Sequence, residues 1–140
     1  MKKKILFLLC TGMLAGYTMK AQTNTGAVNP KITAVYGTHV NTLMSQDPQR
    51  LTLLNQLLTD RIQIMELDQA TAMDKFPALS NQPVFNKYVP GLTVDAVYNP
   101  ATFNPLKYNL SFFNYGDVGY WIDGTNKVLM IRGMKNFINP

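Results

Sequence analysis

The chain has one cysteine and one histidine, and Asp, Glu, Lys and Arg together supply only 15% of its 140 residues. Cys10 lies in the N-terminal segment that reads as an export leader, so the chain left after processing has no disulfide, no thiol nucleophile and no cysteine-held metal. His39 has no Cys, His or acidic residue at ligand spacing, and a three-ligand zinc site lacks donors. A lone histidine of this kind is far more often a surface or partly buried polar residue than a ligand or a base. There is no Gly-x-Ser-x-Gly elbow, no glycine-rich phosphate loop and no EF-hand spacing. No internal repeat or low-complexity tract is visible.

Lys2, Lys3 and Lys4 are followed by an apolar run from Ile5 to Tyr17 and then by Met19-Lys20-Ala21-Gln22. A basic start, a short apolar centre and a small-residue exit form a secretory signal, and the run is too short to span a membrane. Residues 1–21 are therefore expected to be the signal peptide, cleaved after Ala21, although Met19 fits the small-x-small rule poorly. A lipid anchor at Cys10 is the weaker reading, because Leu9 before it is not small. Residues 22–29 read as a flexible arm, with nothing to bury. Residues 30–140 read as one α+β domain.

Cleavage changes the charge argument. Lys2, Lys3, Lys4 and Lys20 leave with the leader, so nine basic residues remain against eight acids. The whole-chain pI of about 9.4 is mainly a property of the leader. No basic surface is left to argue for nucleic acid. The expected location is the periplasm or the cell surface.

Asn29-Pro30 is a helix-start signal, a capping side chain before a proline at the first helical position. Ile32, Val35, Tyr36, Val40, Leu43 and Met44 then recur on one helical face, with Gly37 a weak point. Asp47-Pro48 repeats the signal ahead of Leu51, Leu53, Leu54, Leu57 and Leu58, and Leu51, Leu54 and Leu58 form the expected central stripe. Residues 61–67 can be read as a continued helix or as a strand after a turn near Thr59-Asp60. The strand reading is preferred, since it adds a member to the sheet.

Five prolines (Pro77, Pro83, Pro90, Pro100, Pro105) mark residues 68–105 as a long irregular connection, with a turn of helix around Ala70 to Lys75. Its regularly placed aromatic and aliphatic residues favour a segment that wraps the sheet over a disordered one. The stretch Tyr108 to Arg132 reads as an antiparallel meander. Asp123-Gly124-Thr125-Asn126 suits a hairpin with Gly124-Thr125 as a two-residue type II′ loop, glycine supplying positive φ. That register sets Ile122 opposite Lys127, Trp121 opposite Val128, Tyr120 opposite Leu129 and Val118 opposite Ile131. Alternation at Leu106, Tyr108, Leu110 and Phe112 predicts a further strand over Tyr108 to Phe113. The expected fold is thus an N-terminal helical pair packed on a three- or four-stranded antiparallel sheet.

Two sets of residues are candidates for function. Glu66, Asp68 and Asp117 could converge as a carboxylate site for a small enzyme or ligand-binding protein. Turn aspartates more often cap backbone donors. Of the thirteen aromatic residues beyond the leader, twelve lie from Phe76 onward. Most are expected in the core, and Phe113, Tyr115 and Trp121 are candidates for an exposed patch that binds a protein or glycan partner. No cofactor or metal is implied. Asn109-Leu110-Ser111 matches a glycosylation acceptor, best explained by chance beside a bacterial-type leader.

Phe103-Asn104-Pro105-Leu106-Lys107-Tyr108-Asn109, the run from Tyr120 to Ile131 and the Lys-Ala-Gln end of the leader resemble small uncharacterised exported proteins of Bacteroidota-type bacteria. The resemblance covers the leader and about the last forty residues, and carries no catalytic residues. It implies an envelope setting, with a place beside surface secretion or motility machinery among the options. The functional expectation is a non-enzymatic interaction or structural component of the envelope, with the carboxylate enzyme or ligand-binding protein as the alternative.

Overall fold

The computed structural model describes residues 27–138. The expected leader, Cys10, the expected cleavage site and the expected arm up to residue 26 lie outside them. The fold is α+β, with N-terminal helices over residues 30–61 and a three-stranded antiparallel sheet.

Both helix starts form as their sequences dictate. The Asn29 side chain accepts from the Lys31 amide at 2.9 Å and opens α1 (Pro30–Tyr36). Asp47 accepts from the Arg50 amide at 3.1 Å and opens α3 (Pro48–Gln56). Gly37 takes φ +52° and interrupts the first helix with a 3-10 turn (Gly37–His39) before α2 (Val40–Gln46). A side chain at Gly37 would be strained and would press on Val89. Ile32, Val35, Tyr36, Val40 and Leu43 are buried as their spacing predicts, while Met44 is exposed. Along α3 and the turn that follows it the fully buried residues are Leu54 and Leu57, with Leu51 and Leu58 half-buried beside the core. The helix closes with a π-helical turn (Leu57–Arg61), which shifts the face presented to the core.

Residues 62–66 form a strand, β1 (Ile62–Glu66), paired with β3 (Lys127–Ile131), which also pairs with β2 (Val118–Ile122). The hairpin register is the expected one, with Ile122 opposite Lys127 and Val118 opposite Ile131. Its turn differs. Gly124 does carry a positive φ (+71°), but as the third residue of a turn closed by the Thr125 amide on the Ile122 carbonyl at 3.1 Å. The Thr125 hydroxyl bonds the same carbonyl at 2.6 Å and accepts from the Lys127 amide at 2.9 Å, stabilising this wider loop over the two-residue one.

The strand expected over Tyr108 to Phe113 does not form. Its place beside β2 is taken by Pro77, whose carbonyl accepts from the Trp121 amide at 2.9 Å. Leu106, Tyr108 and Leu110 are nonetheless buried, and the segment makes an isolated antiparallel bridge to the long connection, Tyr108 opposite Val84, with Phe85 donating to Lys107 at 2.7 Å and Asn109 to Pro83 at 2.8 Å.

The sheet has two covered faces. Tyr120, Ile122, Leu129 and Ile131 join the helices in the main core. The opposite face meets the first part of the long connection, where α4 (Gln69–Lys75) contacts β3 and Phe76 lies against Gly119. Further along, Leu79, Phe85, Tyr88 and Phe103 return to the core, so residues 68–105 wrap the sheet and the helices. Among the described residues no helix is long and apolar enough to cross a membrane.

Candidate functional site

The three candidate acids do not meet. Glu66 ends β1 and pairs with Lys127 at the turn end of the hairpin. Asp68 caps α4, accepting from the Thr71 amide at 3.0 Å and from the Thr71 hydroxyl. Asp117 precedes β2 at the far end of the sheet, accepting from the Gly133 amide at 2.7 Å and from Asn136 Nδ2 at 3.2 Å, with Arg132 Nε at 3.4 Å. Each carboxyl is held below its ordinary pKa by these local partners: Lys127 for Glu66, the Thr71 hydroxyl for Asp68 and the Gly133 amide for Asp117. The arrangement lacks the shared concave pocket that a carboxylate enzyme requires. Among the described residues no three His, Cys, Asp or Glu side chains cluster as metal ligands.

The aromatic candidates divide. Trp121 is half-buried near the hairpin turn, its indole N–H donating to the Thr125 carbonyl at 2.8 Å. Phe113 (39% exposed) and Tyr115 (69%) lie at the other end of the sheet, on a loop bound to the C-terminal segment. Met134 donates to Asn114 at 2.9 Å and Lys135 to Tyr115 at 3.1 Å, bringing this loop against α5 (Lys135–Ile138). Phe137 (45%) and Ile138 (58%) of α5 are also exposed, so two adjoining segments present four large apolar side chains to solvent.

Beside Phe113 and Phe137 lies Arg61, which is 2% exposed. Its Nε donates to the Arg132 carbonyl at 2.9 Å and its Nη2 to the Phe112 carbonyl at 2.5 Å. The guanidinium lies 5.7 Å from both the Phe113 and the Phe137 ring centroids. Burial lowers its pKa, yet an arginine stays charged at neutral pH. Nη1 has no hydrogen-bond partner among the described residues. Arg61 thus ties β1, the Phe113 loop and the C-terminal segment together. Sequence reasoning missed it, together with Phe137 and Ile138, because alternation alone assigns Arg61 to a solvated face.

A separate cleft opens on the other side of Phe113. Tyr36, Leu54, Phe85, Leu110, Phe112 and Phe113 are among its lining residues, and Arg50 stands at its edge with its guanidinium 5.9 Å from the Phe113 centroid. Tyr36, Tyr88 and His39 stack alongside, with the His39 and Tyr88 rings 4.0 Å apart and 7° from parallel. His39 is therefore part of a packed aromatic stack.

The chain matches no family model, no curated protein and no solved structure.

Proposed function

We propose that the chain is an exported, non-enzymatic interaction component of a bacterial envelope, and that it engages a protein partner through the surface formed by Phe113, Tyr115, Phe137 and Ile138. The observation that carries this reading is the meeting of two separate segments, each with exposed apolar side chains, beside a buried arginine that Phe113 and Phe137 both approach. Soluble domains rarely leave such residues contiguous without a partner to cover them. Arg61 and Arg132 place positive charge beside it, and Asp117 is the acid nearest the C-terminal segment. The export signal and the resemblance of the chain ends supply the envelope setting.

The test is cross-linking followed by affinity recovery from intact envelopes, comparing the wild type with a Tyr115→Ser, Ile138→Ser variant. Both side chains are exposed, so the variant should melt at the wild-type temperature. A defined neighbour recovered with the wild type and lost with the variant supports the reading. Recovery of free monomer alone, or a neighbour that the variant retains, refutes it.

A further inference from the structure

We infer that the cleft beside Arg50 is a binding site for a small organic monoanion, a compact apolar or aromatic group that carries one carboxylate. The cleft adjoins the exposed patch, with which it shares Phe113, and does not depend on the partner proposed for it.

The size of the cleft sets the apolar part. Its volume is about 110 Å³. A closed apolar cavity of about 150 Å³ accommodates benzene, so a partly open cleft of this size takes one ring or a short branched chain and nothing larger. Its walls are aromatic and aliphatic, and Asn109 is the one side-chain amide among its lining residues. Such a lining favours dispersion contacts with a ring, with a few polar groups to fix its orientation.

The charge at the mouth sets the polar part. The ion pairs among the described residues join Lys107 to Asp95, Lys127 to Glu66 and Arg132 to Asp117, leaving the Arg50 guanidinium without a carboxylate partner. Asp47 is the closest acid in sequence, and its Oδ1 accepts from the Arg50 backbone amide, capping α3. Burial raises the Tyr36 phenol pKa, with Arg50 beside it pulling the other way, so Tyr36 remains a protonated hydroxyl at neutral pH. A planar guanidinium beside a neutral phenol matches a carboxylate, which accepts paired N–H donors. Arg50 also borders a second, shallower depression containing Lys87, whose Nζ lies 5.2 Å from the Tyr88 centroid. Asp47 lines that depression too and offsets Lys87, so the cation that meets the anionic end of the ligand is Arg50, while its ring contacts Phe85 and Phe113.

The test titrates isotope-labelled protein with phenylacetate and with its uncharged counterpart phenylacetamide, following backbone amide resonances. Both probes should shift residues around Leu54, Phe85 and Leu110, and the acid should bind about ten-fold more tightly, the effect of one charge-assisted contact. Arg50→Gln should bring the acid to the affinity of the amide. Tyr115→Ser should leave both affinities unchanged, which separates this site from the partner surface. Equal affinity of acid and amide for the wild type, shifts lying outside the cleft, or a preference that survives Arg50→Gln would each overturn the inference.

Discussion

Arg61 holds a charge where burial is costly, and carbonyl oxygens rather than a carboxylate receive its N–H groups. Removing it strands two partly buried acceptors, while also relieving the desolvation of the cation. The stranded acceptors and the emptied space dominate, so Arg61→Ala should cost about 2–4 kcal/mol in urea denaturation. Arg61→Met keeps an apolar stem between Phe113 and Phe137 and should cost about half as much. If the two variants were equally destabilised, hydrogen bonding and not packing would account for the whole effect. Gly133 makes a second demand on the same region. A Cβ there would collide with the Tyr115 carbonyl oxygen and lie 2.5 Å from the Gly116 carbonyl carbon, both backbone atoms. Gly133→Ala should therefore cost about 2 kcal/mol or more, whereas Gly91→Ala, with open space around it, should be near neutral. Parallel denaturation curves of the two alanine variants would measure the difference.

At the level of elements, the chain's punctuation was readable and its partnerships were only partly so. Asn29-Pro30 and Asp47-Pro48 open helices because a capping oxygen and a preset φ are local properties. The hairpin register was readable because shifting it would separate Trp121 from Val128 and Tyr120 from Leu129. The turn was less so, since the Thr125 hydroxyl bonds select among loops of similar length. Alternation at Leu106, Tyr108 and Leu110 correctly marked what is buried, but side-chain periodicity does not say which backbone supplies the hydrogen bonds. Pro77 occupies the β2 edge, and the segment bridges Val84 instead. Arg61 lay beyond sequence reading because its partners, Phe112 and Arg132, are 51 and 71 residues away. The same distinction between local and distant causes gives a prediction. Gly124→Ala forces a side chain into positive φ and should cost about 1 kcal/mol by chemical denaturation. It should leave the Trp121 to Val128 pairing intact in cross-strand nuclear Overhauser contacts, because that pairing is set by the strands. A register shift in the variant would show that the turn governs it.

For the molecule as a whole, charge placement decides how stability responds to pH. Glu66, Asp68 and Asp117 all have folded-state pKa values below those of free carboxyls, so each favours the folded state once the unfolded chain is ionised. That contribution is complete above about pH 5 and is lost as pH falls through the folded values. Burial shifts Tyr36 and Tyr108 the opposite way, raising both phenols. Their protons are held more tightly by the folded protein, so their contribution is intact below about pH 10 and declines as the unfolded chain begins to ionise above it. The melting temperature should therefore form a plateau between these limits and fall on both sides. Asp117→Asn should flatten the acid limb, since its amide cannot ionise and receives the Gly133 N–H less strongly; Tyr36→Phe should flatten the alkaline limb and leave the acid one unchanged. The two limbs respond to different parts of the molecule, the acid one to exposed turns and caps and the alkaline one to the aromatic core around α1. A single variant that altered both would mean that Asp117 and Tyr36 are coupled, and thermal melts of the two variants across the full pH range would detect it.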